Sequence, residues 1–254
     1  MIPIVDALRV RASQGKQFVP DVRVAHPAGF RGLPAISVAP CTSECEACVE
    51  ACPTQAIALA PFGLDLGRCV FCDDCARVCP AGKIAFTAGH AMASRTRAGL
   101  IVREGRPLDP VLAKAQIQRI FGRSLKLRSV SAGGCNGCEL EINATGNVNF
   151  DSSRFGIDIV ASPRHADALV LSGPITQNMA EALELCWHGM PDPKFVIAVG
   201  ACAISGGVFE PSPALDRSFL GRFEPDLYVA GCPPHPLSIV NGILDLIGHT
   251  SGTW

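Results

Sequence analysis

Eight cysteines fall within residues 41–79, in two copies of one pattern, and each copy ends on Cys-Pro. CTSECEACVEACP opens at Cys41 and CVFCDDCARVCP at Cys69. Cys45, Cys48 and Cys52 recur 27 positions later as Cys72, Cys75 and Cys79, whereas Cys41 and Cys69 are 28 apart. The first copy therefore carries one extra residue in its first loop. A repeat this short, occurring twice, is a duplicated metal-binding unit and not a solenoid.

The second copy, Cys69-x2-Cys72-x2-Cys75-x3-Cys79-Pro80, has the spacing of the bacterial ferredoxin run for a cubane 4Fe–4S cluster. Three closely spaced thiolates wrap one face of the cube. The fourth faces away and ligates the other cluster, and proline then turns the chain. One cluster is expected on Cys41, Cys45, Cys48 and Cys79, the other on Cys69, Cys72, Cys75 and Cys52. Zinc also takes four thiolates, but zinc leaves the duplicated three-plus-one spacing unexplained.

Composition narrows the setting. Nearly half of the 254 residues are apolar (48%) and 18% are charged, enough for a real core. Aromatic residues are 6% and the net charge is −1, so neither base stacking nor a global basic field supports nucleic-acid binding. The start MIPIVDALRVRASQ lacks the features of a signal peptide. The stretch FVIAVGACAISGGVF has only 15 residues, against the roughly 20 that a spanning helix needs. A cytoplasmic chain is expected, where thirteen cysteines point to metal ligation and not to disulfides.

From residue 125 the pattern changes. KLRSV (126–130), GIDIV (156–160), ADALVLSG (166–173), KFVIAVG (194–200) and DLYVAG (226–231) read as strands. TQNMAEALELCW (176–187) and PLSIVNGILDLI (236–247) read as helices between and after them. This alternation predicts a mostly parallel sheet covered on both faces. Cys135 and Cys138 follow the first of these strands, Cys202 follows VIAVG and Cys232 follows LYVAG. All four are expected in loops at the carboxyl edge, where open α/β sheets place ligands, flanked by Gly133, Gly134, Gly137, Gly200 and Gly231. They form a third four-thiolate site, for 4Fe–4S or for zinc. Cys186, in the helical stretch, is expected to be a core thiol.

SAGGCNGCELEIN, SPRHADALVLSGPIT, GACAISGGVF and AGCPPHP together resemble the small, proximal-cluster subunit of energy-converting nickel–iron hydrogenases, formate hydrogenlyase in particular. That subunit is related to the complex I subunit of about 20 kDa that holds the terminal cluster. The complex I form usually has adjacent cysteines where this chain has Cys135-Asn-Gly-Cys138, which favours the hydrogenase side. FRGLP and LDLGRCVFCDDCARVCP resemble the two-cluster ferredoxin subunit of the same complexes, here fused in one chain.

The resemblance implies a flavodoxin-like, mostly parallel α/β domain (125–254) after an α+β ferredoxin domain (41–90). An N-terminal arm (1–40) and a basic linker with a helix (91–124) complete the division. It also implies three 4Fe–4S clusters relaying electrons to a hydrogenase large, catalytic subunit. Further partners would be other hydrogenase or membrane subunits and a ferredoxin or formate dehydrogenase-type electron partner, on the cytoplasmic side of a membrane-associated complex. A nickel–iron centre needs two further Cys-x-x-Cys pairs, and after twelve cluster ligands only Cys186 is left. Hydrogen chemistry would therefore belong to a partner. A nickel-free complex I-like wire and a stand-alone polyferredoxin are the alternatives.

Residues 84–130 carry nine Lys/Arg against Glu104 and Asp109. LDPVLAKAQIQRIFG within them predicts a solvated helix with Asp109 as N-cap and Pro110 in the first turn. Arg164 and His165, after GIDIV, are expected near Cys135, where a cation raises the potential of a reduced cluster. Glu139 and Glu141 suit the N-terminal dipole of the helix after Cys138. His235 is expected to pack at an interface and not to ligate.

Overall fold

A computed structural model of the chain describes residues 3–15, 18–41 and 45–250. The cysteine-rich body is built on β1 (Pro34–Ile36), β2 (Ile57–Leu59), β3 (Phe62–Asp65) and β4 (Ile84–Phe86). β1 pairs antiparallel with β4, and β2 with β3. The duplication is visible here, since Ile57 and Ile84 sit 27 positions apart and are both buried. Short helices Ala47–Glu50 and Asp74–Val78 carry Cys48 and Cys75.

The chain then crosses between bodies three times before settling in the large sheet. β5 (Ala93–Ser94) joins the large sheet, and β6 (Ile101–Arg103) returns to pair with β3, Leu64 opposite Val102. The two bodies are thus stitched by strand exchange. Residues 91–124 are more than a tether, because each body takes a strand from them.

The large sheet adds β7 (Leu125–Ser131), β8 (Ile157–Ile159), β9 (Ala168–Ser172), β10 (Phe195–Val199) and β11 (Leu227–Val229). Its order is β5-β11-β10-β9-β7-β8, parallel throughout except for the edge strand β5. This is the expected α/β sheet, flavodoxin-like, with a ferredoxin-like body N-terminal to it. β9 and β10 are buried at every position, as strands covered on both faces must be. Alternate residues serve two cores. Leu169, Leu171, Val196 and Ala198 face a core continuous with Ile57, Leu64 and Leu66 of the cysteine-rich body. Val170, Ile197, Val199 and Val229 face the apolar helix Pro236–Leu246.

The expected helix in the basic segment begins late. It spans Ala115–Phe121, with Lys114 and not Asp109 at the N-cap position. Residues before it run extended, which lets Val111 reach the core while the Leu112 carbonyl accepts a hydrogen bond from Arg95 at 3.2 Å. Ile117 and Phe121, four apart, then bury one face of the helix.

Candidate metal centres

The cysteine-rich body encloses two cavities, and their linings cross between the repeats. One is lined by Cys41, Cys45, Cys48 and Cys79 with Phe62 and Lys83. The other is lined by Cys52, Cys69, Cys72 and Cys75 with Ala56, Ile57 and Leu64. Each set is three thiols from one repeat and the last from the other, the pairing expected from the spacing. The extra loop residue before Cys45 falls at positions 42–44, outside the described residues.

Backbone amides already point at these sulfurs. The N–H groups of Phe71, Ala56 and Lys83 donate to Sγ of Cys69, Cys52 and Cys79 at 3.3, 3.2 and 3.3 Å. Phe71 and Asp73 take positive φ values of 57° and 68°, as the tight wrap of this loop requires. Arg31, from FRGLP, clamps that loop. Its guanidinium donates to the Phe71 and Cys72 carbonyls at 2.9 and 3.1 Å and pairs with Asp73 at 2.9 Å.

The third set gathers at the carboxyl edge of the large sheet. Cys135 lies in the loop after β7, and Cys232 follows β11. Cys138 and Cys202 differ from expectation: they occupy the first turns of helices Gly137–Ala144 and Ala201–Ser205, not loops. The four thiols sense one another electrostatically. Gly200 explains the close approach. It has φ +89°, and a Cβ there would stand 2.5 Å from Cys138 Sγ. Gly207 does the same for Cys202, with φ +55° and 3.1 Å to its sulfur.

The chemistry of these thiols suits a charged cluster. Burial, and after it mutual repulsion, pushes Cys138 up to about 12 and Cys202 to about 11. Burial likewise pushes Cys69 up to about 12 and Cys75 to about 11. Thiolates in such apolar company need a cation to neutralise them. Among the described residues, no three His, Cys, Asp or Glu side chains converge as one metal ion requires. In the cysteine-rich body the two thiol sets each rim a cavity.

The charged residues expected around the third site divide into two groups. Glu139 is in place: burial alone would raise its carboxyl, but the Ser131 and Ser172 hydroxyls and its own N–H outweigh this and hold it below the usual range. The Ser172 bond is 2.7 Å. Glu141, by contrast, is raised by burial. Arg164 and His165 are not brought to the thiols. They are exposed, on a turn whose Pro163 abuts Gly189 at the far end of helix Gln177–His188. β8 pairs only with the start of β7, Leu125–Leu127, so its exit lies near the opposite sheet edge.

The cation beside Cys202 is Arg217, which sequence reasoning missed. It donates to the carbonyls of Cys202, Ala203 and Pro174 at 3.0, 2.8 and 3.0 Å. Fifteen positions separate it from Cys202, and no spacing signal marks it. His235 caps helix Pro236–Leu246, its Nδ1 accepting from Leu237 N–H at 3.1 Å between the rings of Phe30 and Phe150. Cys186 is half-buried against the core.

Known proteins show the same two parts. Residues 135–246 match the family model of the NADH ubiquinone oxidoreductase 20 kDa subunit, and residues 40–83 match the 4Fe-4S dicluster domain. Over 131 residues the chain is 44% identical to the "Probable membrane-bound hydrogenase subunit mbhJ" of Pyrococcus furiosus, covering 51% of this chain and 78% of that one. The chain belongs to the 20 kDa subunit family. Another relative in the family is a subunit of the F(420)H(2) dehydrogenase of Methanosarcina mazei, 44% identical over 151 residues, 58% of this chain and 81% of that one. Formate hydrogenlyase subunit 7 of Escherichia coli is 41% identical over 135 residues, and the match spans about half of each chain, 53%. As a member of this family the chain is an electron-transfer subunit of an oxidoreductase complex, and its dicluster domain makes it an iron–sulfur protein. No helix among the described residues is long and apolar enough to cross a membrane.

Proposed function

We propose that this chain carries three 4Fe–4S clusters in series and delivers electrons to, or takes them from, the large catalytic subunit of a nickel–iron hydrogenase. Each cluster, when bound, supplies a one-electron site. The observation that carries the reading is the junction between the two bodies. Gly67, two residues before Cys69, packs so tightly on Ile204, two residues after Cys202, that a Cβ would stand 2.7 Å from Ile204 Cγ2. Arg97 locks this seam through a bidentate pair with Asp65 at 2.7 and 2.6 Å. Arg68 adds a pair with Glu210 across it at 3.5 Å. The order is then the Cys41/Cys45/Cys48/Cys79 site outermost, the Cys52/Cys69/Cys72/Cys75 site between, and the Cys135/Cys138/Cys202/Cys232 site innermost.

The innermost site opens outward. Cys135 and Cys232 are exposed, and Leu140, Val148 and Phe209 present apolar surface on the same domain. Such a face suits a large-subunit partner. A ferredoxin or formate dehydrogenase-type carrier would exchange electrons at the outer site, and membrane subunits of the same complex would anchor the assembly on the cytoplasmic side.

A second reading, a nickel-free complex I-like assembly, draws on the 20 kDa family model and on the F(420)H(2) dehydrogenase relative. Capture of the native complex by a tag on this chain, under anaerobic conditions, separates the two. About one nickel per complex is expected, since a hydrogenase active site has one nickel–iron centre. Intact complex with its iron but without nickel would assign the wire to a nickel-free partner.

A further inference from the structure

The two halves of the ferredoxin unit differ at two register positions whose residues line both cluster cavities, Thr54 against Ala81 and Ala56 against Lys83, and the second changes the charge. After Cys52-Pro53 the chain reads Thr-Gln-Ala56-Ile57; after Cys79-Pro80 it reads Ala-Gly-Lys83-Ile84. Ala56 and Lys83 stand 27 positions apart, in the register of the repeat. Their backbones act identically, each N–H donating to the preceding Cys-Pro cysteine, at 3.2 Å for Cys52 and 3.3 Å for Cys79. Both residues are buried, at 4% and 3% exposure. Ala56 lines the middle cavity and Lys83 the outer one. One cluster site faces a methyl group and its duplicate faces a lysine.

The Lys83 side chain is closely partnered. Its Nζ pairs with Glu104 Oε1 at 2.7 Å, donates to the Ala39 carbonyl, and lies 5.0 Å from the ring centroid of Phe62, which lines the same cavity. Burying an ammonium opposes folding until its partners compensate, and the first repeat shows that alanine serves the fold at this position. The counter-charge is asymmetric. Glu104 is 39% exposed, so water screens it more than it screens the ammonium. Lys83 lines the outer cavity and Glu104 does not.

We propose that Lys83 and Glu104 form a charge pair that sets the reduction potential of the outer cluster above that of its duplicate. The proposal rests on the three-cluster reading above. Adding an electron makes a buried cluster more negative, and a fixed cation beside it favours that state. The outer cluster then fills first and holds its electron, and transfer inward to the middle cluster runs uphill. Lys83 would make the entry point of the wire a reservoir.

The test is an EPR-monitored redox titration of the intact complex, wild type beside Lys83→Met and Glu104→Gln. Lys83→Met keeps the stem and removes the charge. It should shift the outer cluster's reduction equilibrium about tenfold toward the oxidised form, a fall of about 59 mV for a one-electron couple. Glu104→Gln should raise the same potential, and the other two clusters should not move. Full iron with an unmoved outer potential, or shifts of the same sign in both variants, would reduce the pair to a structural role and overturn the proposal. If Lys83→Met fails to load the outer cluster, Glu104→Gln decides alone: an upward shift supports the proposal and no shift refutes it. A wild-type complex with no cluster at the outer site is a different failure, that of the three-cluster reading, and it is seen before any variant is made.

Discussion

Gly200→Ala is expected to remove the innermost cluster and leave the two ferredoxin clusters in place. Iron should fall from about twelve to about eight per chain, at four per cube. Two causes act together. At φ +89° any Cβ strains the backbone, and here it would stand 2.5 Å from Cys138 Sγ. Cys138 cannot retreat easily, because it is fixed in the first turn of helix Gly137–Ala144. Gly221→Ala is the matching control: it lies in helix Ser218–Arg222, without a positive φ and with nothing within 4 Å of its added Cβ. That variant should keep all its iron. Equal iron in the two variants would mean that Gly200 does not shape the site.

Cys79→Ser should abolish the cluster of the first repeat, although Cys79 follows Cys69, Cys72 and Cys75 in the chain. Its sulfur lines the cavity of Cys41, Cys45 and Cys48, and its counterpart Cys52 lines the other. The EPR signal lost in Cys79→Ser should therefore be the one lost in Cys45→Ser, and Cys52→Ser should match Cys72→Ser. Matching along the sequence, Cys79 with Cys72, would contradict the crossed arrangement. The same spectra identify the outer cluster for the Lys83 titration.

Much of this was legible in the sequence, for identifiable reasons. Strands buried on both faces are near-continuously apolar, so ALVL and FVIAV announce themselves. Ligand spacing in the repeat encodes the crossed pairing directly, because by Cys79, four residues after Cys75, the chain has turned away from its own cavity. The late helix start at Ala115 was hidden by a plausible Asp-Pro cap that tertiary packing of Val111 overrides. β5 and β6, two and three residues long, are too short to show any periodicity, so the strand exchange that joins the bodies left no trace.

The misplacement of Arg164 and His165 is the most instructive difference. Their strand was expected to end level with β7, but β8 has three residues and β7 has seven. Sequence reveals that a strand exists more readily than where along its neighbour it stops. Arg217 escaped notice because its role is contact with three carbonyls, which any distant arginine could make. Lys83 differs from both. Aligning the two repeats sets it opposite Ala56, but the contrast acquires meaning only once both residues are seen to line cavities.

Every expectation above depends on one chain holding three cubane clusters in series. Metal analysis and low-temperature EPR of the same anaerobically purified, reduced complex address this without intermediate steps. About twelve iron atoms assigned to this chain and three separable 4Fe–4S signals are expected, the innermost lost in Gly200→Ala. About eight iron atoms with one zinc, and only two cluster signals, would place zinc on Cys135, Cys138, Cys202 and Cys232. The wire would then end at the ferredoxin body, and the three-cluster relay would be wrong.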